Sequence, residues 1–302
     1  MTQHPVNPPA LPDSDPLAGN PTLTVRDALR WVAGAGLPVL EARMLVGLVT
    51  GLTRTQLITR DADVLDHGQQ QRLTDLVRRR LAGEPMAYLT GEREFYGRPF
   101  RVGPGVLIPR PDTEVVVQRA LACLEGRHAP RVLDLGTGSG ILAITLACER
   151  PDALVWATDI SPAALEIARE NAGQLGAQVS FLLSDWYGAV PAQRFDLIVS
   201  NPPYIAAGDP HLGQGDLRFE PVDALTDHAD GLTDLRTIAA GALSRLEAGG
   251  WLLLEHGHDQ GAAARELLAT AGFEAVFTER DLGDNERCTG GRAPAEAPRA
   301  LS

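Results

Sequence analysis

From residue 131 onward, the chain alternates short apolar runs with segments of helical periodicity. The runs have the length of buried strands and lie at 131–135, 154–158, 179–183, 195–200, 251–255 and 275–278. Helices are predicted between several of them, and one begins with Ser161 as N-cap and Pro162 at its first position. Strands that alternate with helices build a mostly parallel sheet covered on both faces. The sequence therefore predicts an α/β fold for this part of the chain.

The residues before this region predict a small helical domain. Their apolar side chains form three helical stripes, at Val25, Leu29 and Val32, at Leu40, Met44, Leu45 and Leu48, and at Leu73, Leu76, Val77 and Leu81. Asp66 is placed to cap the third helix. The arginines at 78–80 fit a solvated helix end or a patch that docks a substrate. Residues 92–108 alternate around Gly97 and the turn at 103–105, which predicts a β-hairpin.

These patterns divide the chain into five segments. Residues 1–21 contain six prolines and few large apolar groups, so we expect a disordered leader, and residues 293–302 predict a disordered tail. Between them we expect a helical domain at 22–90, a β-hairpin linker at 91–109 and the α/β domain at 110–292.

Composition excludes several classes of protein. No apolar run approaches the ~18 residues that a membrane span needs, and the N-terminus lacks the pattern of a secretory signal. Three cysteines (Cys123, Cys148 and Cys288) without metal-like spacing fit a reducing compartment, so we expect a cytoplasmic protein without a metal site. All 27 basic residues are arginine; against 39 acidic residues they leave a net charge of −12, which disfavours a surface built for duplex DNA.

A glycine-rich loop follows the first predicted strand of the α/β domain. It reads Asp-Leu-Gly-Thr-Gly-Ser-Gly at 134–140 and opens a helix. Its glycines let the backbone approach a ligand, and the free N–H groups of the helix start face that ligand. Asp159 ends the next strand, where a carboxylate typically accepts hydrogen bonds from ribose hydroxyls. Alone, the pair predicts a nucleoside cofactor and fits NAD about as well as other nucleosides; a tight turn beside an incidental aspartate is the structural alternative.

The fourth predicted strand ends in Asn201-Pro202-Pro203-Tyr204. An amide or exocyclic amine nitrogen is a poor nucleophile because its lone pair is delocalised. The Asn201 side-chain oxygen and the Pro202 carbonyl can each accept one N–H and so direct the lone pair at an electrophile. The prolines stiffen the loop, and the Tyr204 ring can pack on a flat substrate group. The alternative is a rigid proline turn without chemistry.

The glycine loop and Asn-Pro-Pro-Tyr together resemble the S-adenosylmethionine-dependent amino-group methyltransferases, which include DNA adenine enzymes. Further segments narrow the resemblance to the release factor glutamine methyltransferases, the PrmC/HemK family. They are Gly-Glu-Pro-Met-Ala-Tyr-Leu at 83–89, Gly-Glu-Arg-Glu-Phe-Tyr at 91–96, Leu-Ile-Pro-Arg-Pro-Asp-Thr-Glu at 107–114, Asp-Pro-His-Leu at 209–212, Arg-Phe-Glu-Pro at 218–221 and Gly-Asp-Asn-Glu-Arg at 283–287. The resemblance covers about 83–292.

The resemblance implies an α/β, Rossmann-like methyltransferase sheet of seven strands, with a small N-terminal helical domain that docks the substrate and is joined by a β-hairpin. It implies transfer of a methyl group from S-adenosyl-L-methionine to the glutamine amide nitrogen in the Gly-Gly-Gln loop of class I peptide-chain release factors. These release factors are the expected partners, and neither a nucleic acid nor a membrane is expected.

The resemblance also implies the roles of individual residues. The cofactor would be bound by Gly136, Thr137, Gly138, Ser139, Gly140, Asp159, Asp185, Trp186 and Asn201. Within this set the loop would hold the methionine portion, Asp159 the ribose, and Asp185 and Trp186 the adenine, although Trp186 also fits a core position. The substrate would be bound by Asn201, Pro202, Pro203 and Tyr204, with Asn201, Pro202 and Tyr204 as catalytic residues. Arg110 and Thr113 would border the methionine end or serve in capping and loop packing.

Two other functions and one metal site remain as alternatives. An adenine-specific nucleic-acid methyltransferase shares both motifs but ordinarily needs a basic target-recognition surface. A nicotinamide oxidoreductase uses the glycine loop but gives no reason for Asn-Pro-Pro-Tyr. His256 and His258 beside Glu255 suggest a metal, yet no third ligand with suitable spacing follows.

Overall fold

The computed structural model describes residues 22–295. The leader predicted at 1–21 lies outside the described residues, as does the part of the predicted tail from 296 onward. The chain divides into two compact units, with the division after Gly91. No helix between residues 22 and 295 is both long and apolar enough to cross a bilayer.

The first unit is helical. Its helices are α1 (Val25–Gly34), α2 (Val39–Thr50), α3 (Gln56–Thr59), α4 (His67–Leu81) and α5 (Met86–Thr90). Helix α4 begins with a capping box: the Asp66 carboxylate accepts the Gln69 backbone N–H at 2.8 Å, and the Gln69 side chain accepts the Asp66 N–H at 2.9 Å. The unit has its own apolar core, built from α1, α2 and α4 around Leu45 and Leu73.

Helix α2 turns a different face to this core than its sequence predicts. Leu40 and Met44 belong to the predicted stripe, but their side chains are 60% and 41% exposed. The buried residues of α2 are Ala42, Leu45, Val46 and Val49. Because α2 is apolar on more than one side, its spacing alone does not identify the side that packs. The helix therefore leaves an apolar face on the surface of this unit.

Ion pairs within the unit involve two of the three arginines at the end of α4. Arg79 contacts Glu84 at 2.6 Å, and Arg80 contacts Glu41 at 2.8 Å. These contacts favour the interpretation of this segment as an ordinary helix end.

The second unit opens with a hairpin of β1 (Glu92–Phe95) and β2 (Arg98–Arg101). This hairpin is shorter than the one predicted over 91–109, because residues 102–109 form no strand. Pro104 lacks the backbone N–H that a strand ladder requires, so the ladder cannot run through this residue. Phe95 and Phe100 are buried and join the core of the α/β sheet.

Seven strands of the second unit, within residues 92–295, form one mixed sheet in the order β5-β4-β3-β6-β7-β9-β8. They are β3 (Arg131–Leu135), β4 (Leu154–Asp159), β5 (Val179–Leu183), β6 (Phe195–Ser200), β7 (Leu246–Glu255), β8 (Glu274–Arg280) and β9 (Glu286–Arg292). Strand β9 pairs antiparallel with both β7 and β8, and the other pairings of this sheet in the described residues are parallel. The helices of this unit are α6 (Glu114–Cys123), α7 (Ile141–Glu149), α8 (Pro162–Leu175), α9 (Thr233–Ala242) and α10 (Gly261–Thr270). The expectation of a seven-stranded, Rossmann-like sheet is confirmed.

Strand β9 has no counterpart among the strands predicted from apolar runs. Its sequence, Glu-Arg-Cys-Thr-Gly-Gly-Arg, lacks such a run. The two glycines fit because side chains cross over them: a Cβ on Gly290 would lie 2.4 Å from the Phe277 ring, and one on Gly291 would lie 2.8 Å from Phe273. Packing from neighbouring elements, rather than local pattern, explains this strand.

The segment between β6 and α9 is mostly loop with short 3₁₀ turns, at Pro210–Gly213, Gly215–Phe219 and Val222–Ala224. A further 3₁₀ turn, Pro111–Thr113, precedes α6. Alternate residues of the central strands feed two apolar clusters, so that Val132 and Leu133 on β3 belong to different clusters. Burial on both faces fixes these strands, and with them the loops at their carboxyl ends.

Candidate active site

The functional residues gather where the strand order reverses. From β3 the chain moves outward to β4 and β5 and then returns to β6 on the other side of β3. Open α/β sheets bind ligands at the carboxyl ends of strands at such a switch point. A cavity of about 630 Å³ opens there. Its walls come from the loops after β3, β4, β5 and β6 and from the segments around Val106 and Thr226.

The glycine loop after β3 forms one wall. Gly136, Gly138 and Gly140 all have positive φ angles, of 69°, 55° and 88°. The φ of Gly140 favours glycine, and a Cβ there would lie 2.5 Å from the end of the Ile144 side chain, which would have to move. The Thr137 N–H donates to the Thr158 carbonyl at 2.8 Å, which ties the loop to the end of β4.

Asp134 is a buried carboxylate that borders the cavity. It is 1% exposed. Its Oδ2 accepts the Thr137 hydroxyl at 2.6 Å and the Ala143 N–H at 3.2 Å. Within residues 22–295 its Oδ1 has no hydrogen-bond partner, and burial raises the pKa of Asp134 to about 7. An unpartnered buried carboxylate oxygen beside a cavity fits a positively charged ligand group.

Asp159 lies at the end of β4 and holds the glycine loop in place. Its Oδ2 accepts the Gly138 N–H and its Oδ1 the Ser161 N–H, both at 2.8 Å. Burial raises the pKa of this carboxyl. Since a carboxylate has about four lone-pair sites, Asp159 keeps acceptor capacity for a ligand.

The charge of the cavity wall is acidic. Six aspartates line it, namely Asp134, Asp159, Asp185, Asp223, Asp227 and Asp234. Among the described lining residues none is an arginine, and His228 is the sole basic side chain. A sulfonium or ammonium group fits this wall, whereas the diphosphate of a dinucleotide would face carboxylates without a compensating cation.

Trp186 combines the two roles that its sequence leaves open. Its indole is half-buried, packs on the apolar cluster that contains Val190 and also lines the cavity. The ring lies 3.4 Å from the point where a side chain on Gly136 would begin. It therefore provides a flat apolar surface beside the glycine loop, next to Asp185.

The Asn-Pro-Pro-Tyr loop contributes Asn201 and Pro203 to the cavity wall. The Asn201 Nδ2 donates to the Thr113 hydroxyl at 3.4 Å, and the Tyr204 hydroxyl donates to Glu255 Oε1 at 3.3 Å. Pro202 is buried, whereas Asn201 and Pro203 line the cavity. Burial raises the pKa of Tyr204, and the Glu255 charge raises it further.

Most of the sequence-predicted site residues border this one cavity. They are Gly136, Thr137, Gly138, Ser139, Asp159, Asp185, Trp186, Asn201 and Pro203. Gly140, Pro202 and Tyr204 are not among the residues that line it: Gly140 is the N-cap of α7, and the Tyr204 hydroxyl is directed at Glu255. Their roles toward a ligand remain predictions.

Sequence reasoning missed Glu220 as the partner of the segment 107–114. Glu220 is buried, and its Oε2 accepts the Ile108 N–H at 2.9 Å while Oε1 is bound by the Arg110 guanidinium. The contacts of Glu220 with Ile108 and Arg110 join the cavity wall around Val106 to the wall around Pro221. For Arg110 this contact favours loop packing over contact with the methionine end of a cofactor.

Sequence reasoning also missed Asn171, a buried side chain on α8. Its Oδ1 accepts the Arg101 N–H at 2.7 Å, and its Nδ2 donates to the Ser139 carbonyl at 2.8 Å and to the Arg101 carbonyl at 3.0 Å. The side chain thereby links the β1–β2 hairpin to the glycine loop. A polar residue on the inward face of an amphipathic helix is the sequence signal that could have found it.

His256 is occupied within the core. Its Nε2 hydrogen-bonds the Thr289 hydroxyl at 2.7 Å and its Nδ1 the Gly257 carbonyl at 2.8 Å. Burial lowers the pKa of His256. Between residues 22 and 295 no group of three or more His, Cys, Asp or Glu side chains is arranged to hold a metal ion.

Two protein-family models match the chain. Residues 27–91 match the PrmC N-terminal domain, and residues 116–214 match the methyltransferase small domain. The first match lies in the helical unit and the second spans the glycine loop and Asn-Pro-Pro-Tyr.

Curated relatives match over nearly their whole length. A release factor glutamine methyltransferase of Bordetella pertussis is 56% identical over 261 residues, which cover 86% of this chain and 97% of the relative. One of Escherichia coli K12 is 46% identical over 269 residues, which cover 89% and 97% of the two chains. Among solved structures, a methyltransferase of Pyrococcus furiosus shares the fold, with a TM-score of 0.51, 18% identity and coverage of 73% of this chain and 99% of that one.

We expect Asn171→Ala to destabilise the second unit and to loosen the glycine loop. The substitution leaves the buried Ser139 carbonyl and the partly buried Arg101 N–H without their partner, a loss of about 1–3 kcal/mol in the free energy of unfolding. Chemical denaturation of the variant measures this loss. Gln174→Ala, an exposed position on the same helix, is the control. Equal stability of the two variants would contradict the bracing role of Asn171.

Proposed function

The chain belongs to the family of release factor glutamine methyltransferases, and we propose that it methylates the glutamine of the Gly-Gly-Gln motif in class I peptide-chain release factors. The methyl donor in this proposal is S-adenosyl-L-methionine, and the acceptor is the side-chain amide nitrogen. One observation carries the proposal: the amide-holding loop Asn201–Tyr204 and the aspartate-lined cavity meet at one switch point of the sheet.

The residues of the cavity fit the donor. S-adenosylmethionine supplies an electrophilic methyl group on a sulfonium and carries a second positive charge on its ammonium. Asp134, with its unpartnered Oδ1, would bind one of these cationic groups. Asp159 would accept from the ribose hydroxyls, and the Trp186 face would meet the adenine. Asp185 would lie beside that ring.

The residues of the loop fit the acceptor. The Asn201 oxygen and the Pro202 carbonyl would each accept one N–H of the substrate amide and leave the nitrogen lone pair directed into the cavity. Pro203 stiffens the loop, and the Tyr204 ring would pack on the amide plane. The reaction needs little acid–base chemistry. The catalytic contribution of the loop would therefore be to position the substrate amide nitrogen about 3 Å from the methyl carbon. The amide proton would leave to water after transfer.

We expect Asp134→Asn to weaken the binding of S-adenosylmethionine about tenfold or more, the loss of an interaction with a charged group. Binding by the unsubstituted protein should tighten as the pH rises through about 7, because ionised Asp134 attracts the cation and protonation removes that attraction. The variant should lack this pH dependence. Calorimetry at pH 6 and pH 8 measures both effects.

The control for Asp134→Asn is Asp259→Asn, an exposed acidic position outside the cavity wall. A folded Asp134→Asn protein with unchanged affinity at pH 8 would exclude this carboxylate as a cofactor ligand.

We expect Asn201→Ala to lower the single-turnover rate by about two to three orders of magnitude, as for the loss of one preorganised polar contact in a reaction. The affinity for S-adenosylmethionine should change far less, because the glycine loop and Asp159 keep their contacts. Rapid-quench measurements with radiolabelled cofactor give the rate. Gln214→Ala, in the exposed part of the following loop, should retain the full rate. A near-normal rate for Asn201→Ala would leave the loop with a structural role alone.

The helical unit is proposed to dock the body of the release factor. Its exposed apolar residues Val39, Leu40 and Met44 all lie on α2 and offer a surface for such a contact. The cavity engages only a few atoms of a glutamine that lies in a folded loop. A second contact, between the helical unit and the body of the release factor, would help to position this glutamine.

We expect intact release factor to be methylated with a far higher kcat/KM than a short peptide that carries Gly-Gly-Gln. The double variant Leu40→Ser/Met44→Ser should lower kcat/KM for the intact protein by about tenfold, equivalent to ~1.4 kcal/mol, and leave the peptide reaction unchanged. Tandem mass spectrometry locates the methyl group. Equal efficiency on protein and peptide would remove the docking role, and methylation of DNA or RNA with none on release factor would overturn the proposed function.

A further inference from the structure

Glu255 is a buried carboxylate directly behind the Asn-Pro-Pro-Tyr loop. It is 1% exposed and ends β7, which pairs in parallel with β6 so that Leu254 lies opposite Ser200. Glu255, the last residue of β7, is therefore level with Asn201, the first residue after β6. Its Oε1 accepts the Tyr204 hydroxyl, and its Oε2 has no hydrogen-bond partner within residues 22–295.

Two further segments with family-like sequences converge on this carboxylate. From the segment 107–114, the buried Thr113 hydroxyl interacts with Glu255 in a way that favours the ionised form, and it accepts the Asn201 Nδ2 at 3.4 Å. From the segment 283–287, the charge of Arg287 also favours the ionised form. The proposed contacts with cofactor and substrate do not explain the role of either segment.

Charged and polar groups around Glu255 have opposing effects on its ionisation. Burial raises the pKa of Glu255 to about 7, and the Thr113 hydroxyl, Arg287 and Tyr204 oppose this rise while Asp112 adds to it. Arg287 is itself shared, with contacts to Asp281 at 3.1 Å and to Asp112 at 3.5 Å. The Cys288 thiol, on β9, is a further titratable neighbour.

We propose that Glu255 is a positioning residue for methyl transfer, which orders Tyr204 directly and Asn201 through Thr113. The inference rests on the proposed function. Thr113 has a single hydroxyl proton. When an ionised Glu255 attracts that proton, the Thr113 oxygen can only accept from Asn201. The Asn201 Nδ2 is then held toward Thr113, and Oδ1 is turned away from it, free to accept an N–H of the substrate amide.

The cost of this arrangement argues against a purely structural role. Burying a carboxylate costs folding free energy, and a glutamine of the same shape would avoid the charge. Since folding raises the pKa of Glu255, the folded state favours the protonated form, and stability is lost as the pH rises through about 7. A structural residue would be expected to add stability at the pH where it is ionised.

The first test compares Glu255→Gln with Glu247→Gln, a half-exposed position on the same strand whose charge faces Arg131 at 3.7 Å. At pH 8 and saturating cofactor, Glu255→Gln should lower kcat by about 10- to 100-fold, the range for a slightly misplaced reacting group. Its affinity for S-adenosylmethionine should stay within about twofold, and its thermal stability at pH 8 should equal or exceed that of the unsubstituted protein. Glu247→Gln should retain full kcat.

The pH profile separates positioning from packing. In the unsubstituted protein kcat at saturating cofactor should fall as the pH drops through about 7, because protonated Glu255 no longer attracts the Thr113 proton. Glu255→Gln should show a low kcat without this inflection. A Glu255→Gln protein with normal kcat, or one that loses kcat only in proportion to lost stability or cofactor affinity, would overturn the proposal.

The second test addresses the relay through Thr113. Thr113→Val removes the hydroxyl at nearly constant volume and should lower kcat, whereas Thr113→Ser should restore most of it. The double variant Thr113→Val/Glu255→Gln should lose little more than either single variant, because both remove the same arrangement. Additive losses would contradict a shared path.

A readout without catalysis keeps this inference distinct from the proposed function. The Asn201 side-chain amide, identified by its loss in Asn201→Ser, should give a sharp ¹⁵N resonance pair with slow hydrogen exchange. Thr113→Val and Glu255→Gln should broaden it or speed its exchange, and Glu247→Gln should not. Failure of the unsubstituted protein to methylate any release factor would overturn the proposed function, whereas an unchanged Asn201 resonance in both variants would overturn the positioning role.

Discussion

The parallel pairing of β3 with β6 is the constraint on which the candidate site depends. Leu135 lies opposite Ser200, and the Ser200 hydroxyl donates to the Leu135 carbonyl at 2.7 Å. The two loops that carry the chemistry leave the sheet directly after this pair, one into the glycine loop and the other into Asn-Pro-Pro-Tyr. A shift of one residue in this register would turn the side chains of a whole strand to the other face, and apolar burial on both faces prevents it.

Two buried carboxylates flank this junction with different tasks. Asp134 borders the cavity and Glu255 stands behind the substrate loop, and burial raises the pKa of each to about 7. Within residues 22–295 each has one oxygen without a hydrogen-bond partner, and burial makes an interaction of that oxygen with a charge or a polar hydrogen stronger than in water. The fold thus gives up stability near neutral pH at the two places where the proposed chemistry needs oriented charge.

Local pattern predicted the parts of the fold that are locally determined. The runs at 131–135 and 195–200 coincide with β3 and β6 because burial on both faces requires continuous apolar sequence. The run at 179–183 coincides with β5, a partly buried strand at the sheet edge. The glycine loop and Asn-Pro-Pro-Tyr could be placed at the same sheet edge because parallel strands end together. These motifs could be found because their chemistry is written in consecutive residues.

The parts that sequence reasoning missed depend on contacts between distant residues. Strand β9 needs the Phe277 and Phe273 side chains to cover its glycines, and the exposed side of α2 depends on which of its apolar faces meets α1 and α4. In the sequence, Glu255 lies beside His256 and near His258, and this pattern suggests a metal site rather than a positioning role. Its actual neighbours, Thr113 and Tyr204, come from segments that only the folded sheet brings together.

The Glu220 contacts have a consequence for how the molecule folds. Glu220 is separated from Ile108 and Arg110 by 112 and 110 positions in the sequence. This separation is larger than that between paired residues of β3 and β6. Contacts of such long sequence separation close large loops. The conformational entropy that this closure costs is offset only after the sheet between the contacting residues has formed. We expect this cavity wall to form late in folding and to open first in local fluctuations. A ligand enclosed by this wall would stabilise its closed form. Ligand binding would thereby couple the wall to the cooperative folding of the rest of the domain.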